Sequence, residues 1–145
     1  MPQRKKGSQK VGQPHLLDTN ILLRFLVGDD QPKAARATAL MERVERREEF
    51  VEIPTEVLSE TVWTLESFYK VPRRETTEKL VAVLRLAGVT SDTTPLHTAA
   101  LDLYAETSAD FVDCLLAARA QLENKVVYSF DKADFKKLPA MWNEP

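Results

Sequence analysis

Three short acidic motifs stand far apart in this 145-residue chain, each where an apolar run meets a turn or a helix. Leu16-Leu17-Asp18-Thr19-Asn20 ends an apolar run in a carboxylate, with a hydroxyl and an amide beside it. Asp110-Phe111-Val112-Asp113 opens a stretch rich in Leu and Ala. Val126-Val127-Tyr128-Ser129-Phe130-Asp131 is a second apolar run that ends in a carboxylate, with Ser129 two residues before it. Carboxylates gathered in one pocket hold hard divalent cations through oxygen. In parallel sheets, ligands collect outside the carboxyl ends of the strands. Two strands ending in Asp, and a helix beginning with Asp, therefore point to one acidic pocket.

Each acid also has a structural reading. Asp18 can cap a helix starting near Asn20, and Asp110 can cap one starting near Phe111. Asp113 then sits in the first turn, where the helix dipole favours a negative charge. Asp110 and Asp113 are three apart and share a helix face. Glu60 follows Val57 and precedes Trp63 on a partly apolar side, where an unpaired carboxylate is costly. Glu56 and Glu66 read as solvated helix surface. Asp134 reads as the cap of a short turn over 135–138.

The elements that must position these acids follow from periodicity and breakers. A strand is expected over His15–Asp18 and a helix over Asn20–Leu26, broken by Gly28-Asp29-Asp30. Asp30 caps the next helix, with Pro32 just inside it, and that helix runs to about Arg46 with Ala35, Ala39 and Val44 on its apolar side. Phe50–Ile53 is a short strand. A helix from Thr55 to about Tyr69 carries Val57, Leu58, Val62, Leu65 and Phe68 at helical spacing. Val71-Pro72 breaks the chain, and Arg73–Ala87 is a further helix ended by Gly88. Val89–Thr90 is a brief strand, Pro95–Tyr104 and Phe111–Glu123 are helices, and Val126–Phe130 is a strand. Short strands alternating with helices indicate a parallel sheet with helices on both faces.

Bulk properties bound the function. The length fits one domain, residues 15–145, preceded by a flexible basic tail over residues 1–14. A chain this size buries about 70% of its unfolded surface without a staple. The single cysteine, Cys114, excludes an internal disulfide and a cysteine-based zinc site, and two histidines, His15 and His97, argue against a histidine-rich metal site. No apolar run approaches the roughly 18 residues of a membrane span. With no apolar leader either, a cytoplasmic protein is expected. The tail carries Arg4, Lys5, Lys6 and Lys10 of the 20 basic residues, so 16 bases face 22 acids in the rest. Trp63 and Phe68 are expected in the core or on a dimer face, Cys114 as a small buried residue, His97 as structural, and Trp142 packed on the body or a partner.

Asp-Thr-Asn after a strand, Glu60 in the third helix, Asp-x-x-Asp before an Ala/Leu-rich helix, and a strand followed by Ser-x-Asp together resemble the PIN-domain nucleases. The stretches Leu17–Leu26 and Ile53–Trp63 resemble the VapC-type toxins within that family. The resemblance covers about residues 15–138. It implies a three-layer α/β/α sandwich around a central parallel sheet. It also implies a Mg²⁺- or Mn²⁺-dependent endoribonuclease. Carried over by position, the acidic site is Asp18, Glu60, Asp113 and Asp131, with Asp110 a fifth acid. Asp18 and either Asp113 or Asp110 would hold the metal, with Glu60 and Asp131 orienting water around it. Thr19, Asn20 and Ser129 would line the site. Arg24 and Arg119 are the candidate RNA-binding cations, and single-stranded RNA, tRNA included, is the expected substrate class. Cys114 stands where the family usually has Ala.

The chemistry fits those residues: phosphodiester hydrolysis needs an activated water, neutralised phosphate charge and help for the leaving oxygen. The resemblance further implies a homodimer and a protein antitoxin covering the cleft. Helices 31–46 and 55–69 would form the partner groove and the homodimer face, with Phe25, Val57, Leu58 and Trp63 lining it. The alternatives are an RNA-processing PIN nuclease without antitoxin, a non-catalytic binding module, and a metal-dependent phosphatase. The last is disfavoured by Asn20 standing where a second Asp would be.

Overall fold

A computed structural model of the chain describes residues 13–145. Most of the basic tail, with Arg4, Lys5, Lys6 and Lys10, lies outside the described residues. In order, the elements are β1 (His15–Leu16), α1 (Thr19–Val27), α2 (Gln31–Glu45), β2 (Val51–Glu52), α3 (Thr55–Ser67) and α4 (Arg73–Leu84). They continue with α5 (Thr94–Glu106), α6 (Phe111–Glu123), β3 (Val127–Tyr128), α7 (Lys132–Phe135) and β4 (Trp142–Asn143).

Local chemistry sets the helix ends. The Asp30 side chain accepts from the Lys33 backbone N–H at 3.1 Å and starts α2. Gly28 closes α1 in the left-handed conformation, φ 71°, which glycine adopts without steric cost. Pro54 and Pro72 precede α3 and α4, where a missing N–H costs nothing. After α4 the chain turns at Gly88 and passes tightly under α2. A side chain on Gly88 would overlap the carbonyl oxygens of Val44 and Glu49.

The strands are parallel, as expected, but short. β1 pairs with β2 through His15↔Val51 and Leu16↔Glu52, and Val51 bridges to Val89 on its other side. β3 pairs with β4 through Val127↔Trp142 and Tyr128↔Asn143. The described ladder is thus two strand pairs rather than one continuous sheet. Leu16 and Tyr128 are each more than 70% exposed. Two-residue ladders do not sustain themselves, so helix packing holds them in place. One core does this: Leu17, Leu22, Val44, Val51, Leu58, Leu101, Ala117, Val127 and Phe135 all belong to it.

Several expected faces are corrected. In α2 the buried residues are Ala37, Met41 and Val44, a true one-face spacing, while Ala35 and Ala39 are exposed. On α3, Leu58, Val62 and Leu65 are buried, but Trp63 is 66% and Phe68 72% exposed, so neither is core. α4 stops at Leu84, and Val89–Thr90 makes a single bridge. The C-terminal Trp142 forms a strand that the sequence did not reveal, and its ring lies 6.1 Å from that of Phe135.

His97 is structural, as expected. It is fully buried, and its Nε2 shares a 2.8 Å hydrogen bond with the Thr55 hydroxyl, tying α5 to the start of α3.

Candidate metal centre

Asp18 follows β1 and caps α1, its Oδ1 accepting the Thr19 N–H at 2.8 Å. Thr19 turns inward from this cap and is buried. Its hydroxyl donates to Glu60 Oε2 at 3.1 Å, across 41 residues of sequence. One oxygen of Glu60 is thereby fixed, and the other remains available as an acceptor. Asn20, one residue on, is exposed.

A second group forms where α6 begins and β3 ends. Ser129 Oγ accepts the Asp131 N–H at 2.9 Å, and Asp131 Oδ1 accepts the Asp134 N–H at 2.9 Å, so Asp131 caps α7. Asp134 Oδ2 accepts the Asp110 N–H at 2.8 Å, which docks α7 onto the start of α6. Asp113 lies one turn into α6. Asp113, Asp131 and Asp134 place ligand oxygens within 4.8 Å of one another. Lys137 Nζ donates to Ser108 Oγ at 2.6 Å and fastens the end of α7 to the loop before α6.

Partial burial, a hydrogen bond with Asp134 and the charges of Asp134, Asp131 and Asp110 together push the Asp113 carboxyl up to about 7, with burial the largest cause. Clustered oxygens that retain a proton near neutral pH suit a hard divalent cation, which can replace that proton. The donor set therefore fits a hard divalent cation.

The sequence placed Asp18, Glu60, Asp113 and Asp131 in one set. The structure brings Asp131 to Asp113, with Asp110 adjoining, and brings Glu60 to Thr19 beside Asp18. Asp18 and Glu60 are not part of the close trio among the described residues. Asp134 was missed as a site residue because it was read as a cap for 135–138. The cap is Asp131, and the Asp131-x-x-Asp134 spacing, which repeats that of Asp110 and Asp113, was the available signal.

Of the two candidate cations, Arg24 pairs with Asp29 at 2.6 Å, and Asp29 also accepts from Tyr69 at 2.7 Å. Arg24 also lines a groove between α1 and α2. Arg119 lies toward the other end of α6 from Asp113, lining a small cavity with Asp92, Thr93 and Leu96. α1 packs on both α2 and α3, and Leu58, expected to line a partner groove, is fully buried. No helix among the described residues is long and apolar enough to cross a membrane.

Comparison with known proteins identifies the family. A family model described as PIN domain matches residues 15–141. A VapC ribonuclease of Aquifex aeolicus (strain VF5) is 33% identical over 124 residues, covering 85% of this chain and 90% of that protein. The match spans β1 through the trio and its capping residues, and with it the chain belongs to the PIN-domain family, an α/β/α fold built on parallel strands.

Proposed function

We propose that the chain is a Mg²⁺- or Mn²⁺-dependent endoribonuclease and the toxin of a toxin–antitoxin pair. The carrying observation is the Asp113–Asp131–Asp134 trio at the mouth of β3, in a PIN-family chain similar to a VapC ribonuclease. Asp113, Asp131 and Asp134 would hold the cation, and Asp18, at the carboxyl end of β1, completes the acidic set with Asp110. Once bound, the cation neutralises phosphate charge and favours ionisation of water. The protein's own part is positioning and proton handling. Thr19 fixes one oxygen of Glu60, which leaves the other to accept a proton from the attacking water. Ser129 locks the turn that presents Asp131. Asp134 joins α7 to α6, so the carboxylates keep their spacing when the cation leaves.

RNA is the substrate class because the homologue is named as a ribonuclease. An antitoxin partner and a homodimer belong to the same proposal. The exposed Trp63 and Phe68 on α3 offer an apolar surface for one of them. The test incubates purified chain, free of any partner, with tRNA and unstructured RNA in EDTA, Mg²⁺ or Mn²⁺. Cleavage that requires the cation supports the reading. Absence of cleavage in every condition, with folded protein and no Mn²⁺ binding, sinks it.

A further inference from the structure

We propose that the groove between α1 and α2 is the track for the RNA phosphate backbone, upstream or downstream of the cleaved bond. This rests on the nuclease reading above and extends it to residues outside the acidic set.

The groove measures about 460 Å³ and is lined by Arg24, Lys33, Arg36 and Arg43, with Asn20 at the end nearest Asp18. Ile21, Ala37 and Leu40 form its apolar floor, and no acid lines it. Concentrated positive charge is unexpected here, since beyond the N-terminal tail the chain has more acids than bases. Lys33, Arg36 and Arg43 share one side of α2. At about 1.5 Å of rise per residue they span ~15 Å, enough to face successive phosphates of one strand.

The four cations are not equally free. Arg24 is held by Asp29 at 2.6 Å, and Lys33 leans on Asp30 at 3.9 Å. Arg43 donates to the Ala39 carbonyl at 3.3 Å and makes no close ion pair among the described residues. Arg36 is exposed and has no ionic partner among the described residues. Arg36 and Arg43 are therefore the two cations ready to exchange counterions for phosphates. The groove also begins one residue past Thr19, whose hydroxyl fixes Glu60. A strand lying along α2 is thus delivered to the acidic set. A groove lining of four cations and no acid matches a polyanion better than a folded protein surface, where charges of both signs alternate.

The experiment measures binding of a short fluorescent single-stranded RNA in EDTA, across a salt series, with no cleavage needed. It compares wild type, the double variant Arg36→Gln/Arg43→Gln, and a control of equal charge change on another face, Arg74→Gln/Arg85→Gln. Glutamine keeps helix propensity, so all three should fold. The groove variant should bind roughly ten-fold more weakly at ~0.15 M salt, with the slope of log K against log salt reduced by about 1.4. The control should match wild type. In Mg²⁺ or Mn²⁺ the groove variant should show a raised KM and an unchanged kcat.

Equal affinity and slope for wild type and groove variant would overturn the proposal, as would an equal loss in the control. Unchanged RNA binding with lost binding of an acidic protein segment would assign the groove to a protein partner instead. Groove-dependent binding by a wild type that never cleaves would uphold the groove and overturn the nuclease reading. Cleavage with groove-independent binding would do the reverse.

Discussion

At the scale of single residues, Asp113 dominates the electrostatics of the site. Its carboxyl is raised to about 7, first by burial and then by Asp134. In the unfolded chain the same group ionises near 3.8. The protein without metal therefore has the full benefit of the neutral acid below pH 3.8 and loses it as pH rises through 7. Asp113→Asn removes this liability. With EDTA, Asp113→Asn should raise Tm at pH 8 relative to wild type, by roughly 3 °C after allowing for solvent screening of a partly exposed site. The two proteins should converge toward pH 4. Adding Mn²⁺ should raise Tm of wild type and leave the variant nearly unmoved. Thermal scans at two pH values decide this, and a variant less stable than wild type at pH 8 would contradict it. The positions of Asp110 and Asp113 at the start of α6, and of Asp131 just past β3, were legible because helix starts and strand ends advertise themselves in sequence. Asp134 was not, because a second acid three residues on looked like another cap.

At the scale of elements, Arg73 joins four helices to the site. Its Nε donates to the Tyr104 carbonyl at 2.8 Å, and another nitrogen donates to the Ala109 carbonyl, one residue before Asp110. Its guanidinium stacks 3.7 Å from the Tyr104 ring centre and pairs with Glu66, which also accepts from the Tyr104 hydroxyl. Glu66 is exposed helix surface, as expected, and from there also anchors Arg73 and Tyr104. A planar fork makes this set of contacts, and an ammonium cannot. Arg73→Lys should cost about 2 kcal/mol of stability, from charge-assisted hydrogen bonds left unmade. It should also weaken Mn²⁺ binding, because the start of α6 loses its tether. Urea unfolding and Mn²⁺ titration read the two effects, and an unchanged cation affinity would separate Arg73 from the site. Helix limits were legible where caps and breakers set them, as in α2 and α6. Faces were less so. Ala35 and Ala39 looked like a stripe because alanine is neutral to burial, and only the bulk of Met41 fixes the true phase. The β4 strand was invisible because a two-residue parallel ladder has no alternation to read.

At the scale of the whole molecule, the fold gathers two acidic groups from opposite ends of the sequence. Thr19 and Glu60 organise one beside Asp18, and Asp110, Asp113, Asp131 and Asp134 make the other. The α/β class and parallel strands were legible from alternating runs. The division of the acids was not, because sequence order fixes which strand ends carry carboxylates and leaves open which ones touch. The same limit hid the basic groove: Arg24 stood out beside the Asp18 motif, while Lys33, Arg36 and Arg43 acquire meaning only once α2 lies against α1. The most direct measurement compares RNA cleavage by wild type, Asp113→Asn and Asp18→Asn in EDTA and in Mg²⁺ or Mn²⁺, with folding checked for each. Both substitutions should lower the metal-dependent rate by at least ~100-fold, the scale lost when charge-stabilising groups leave a catalytic site. Wild-type rates in either variant would contradict the account, and would leave these carboxylates as caps of α1 and residents of the first turn of α6.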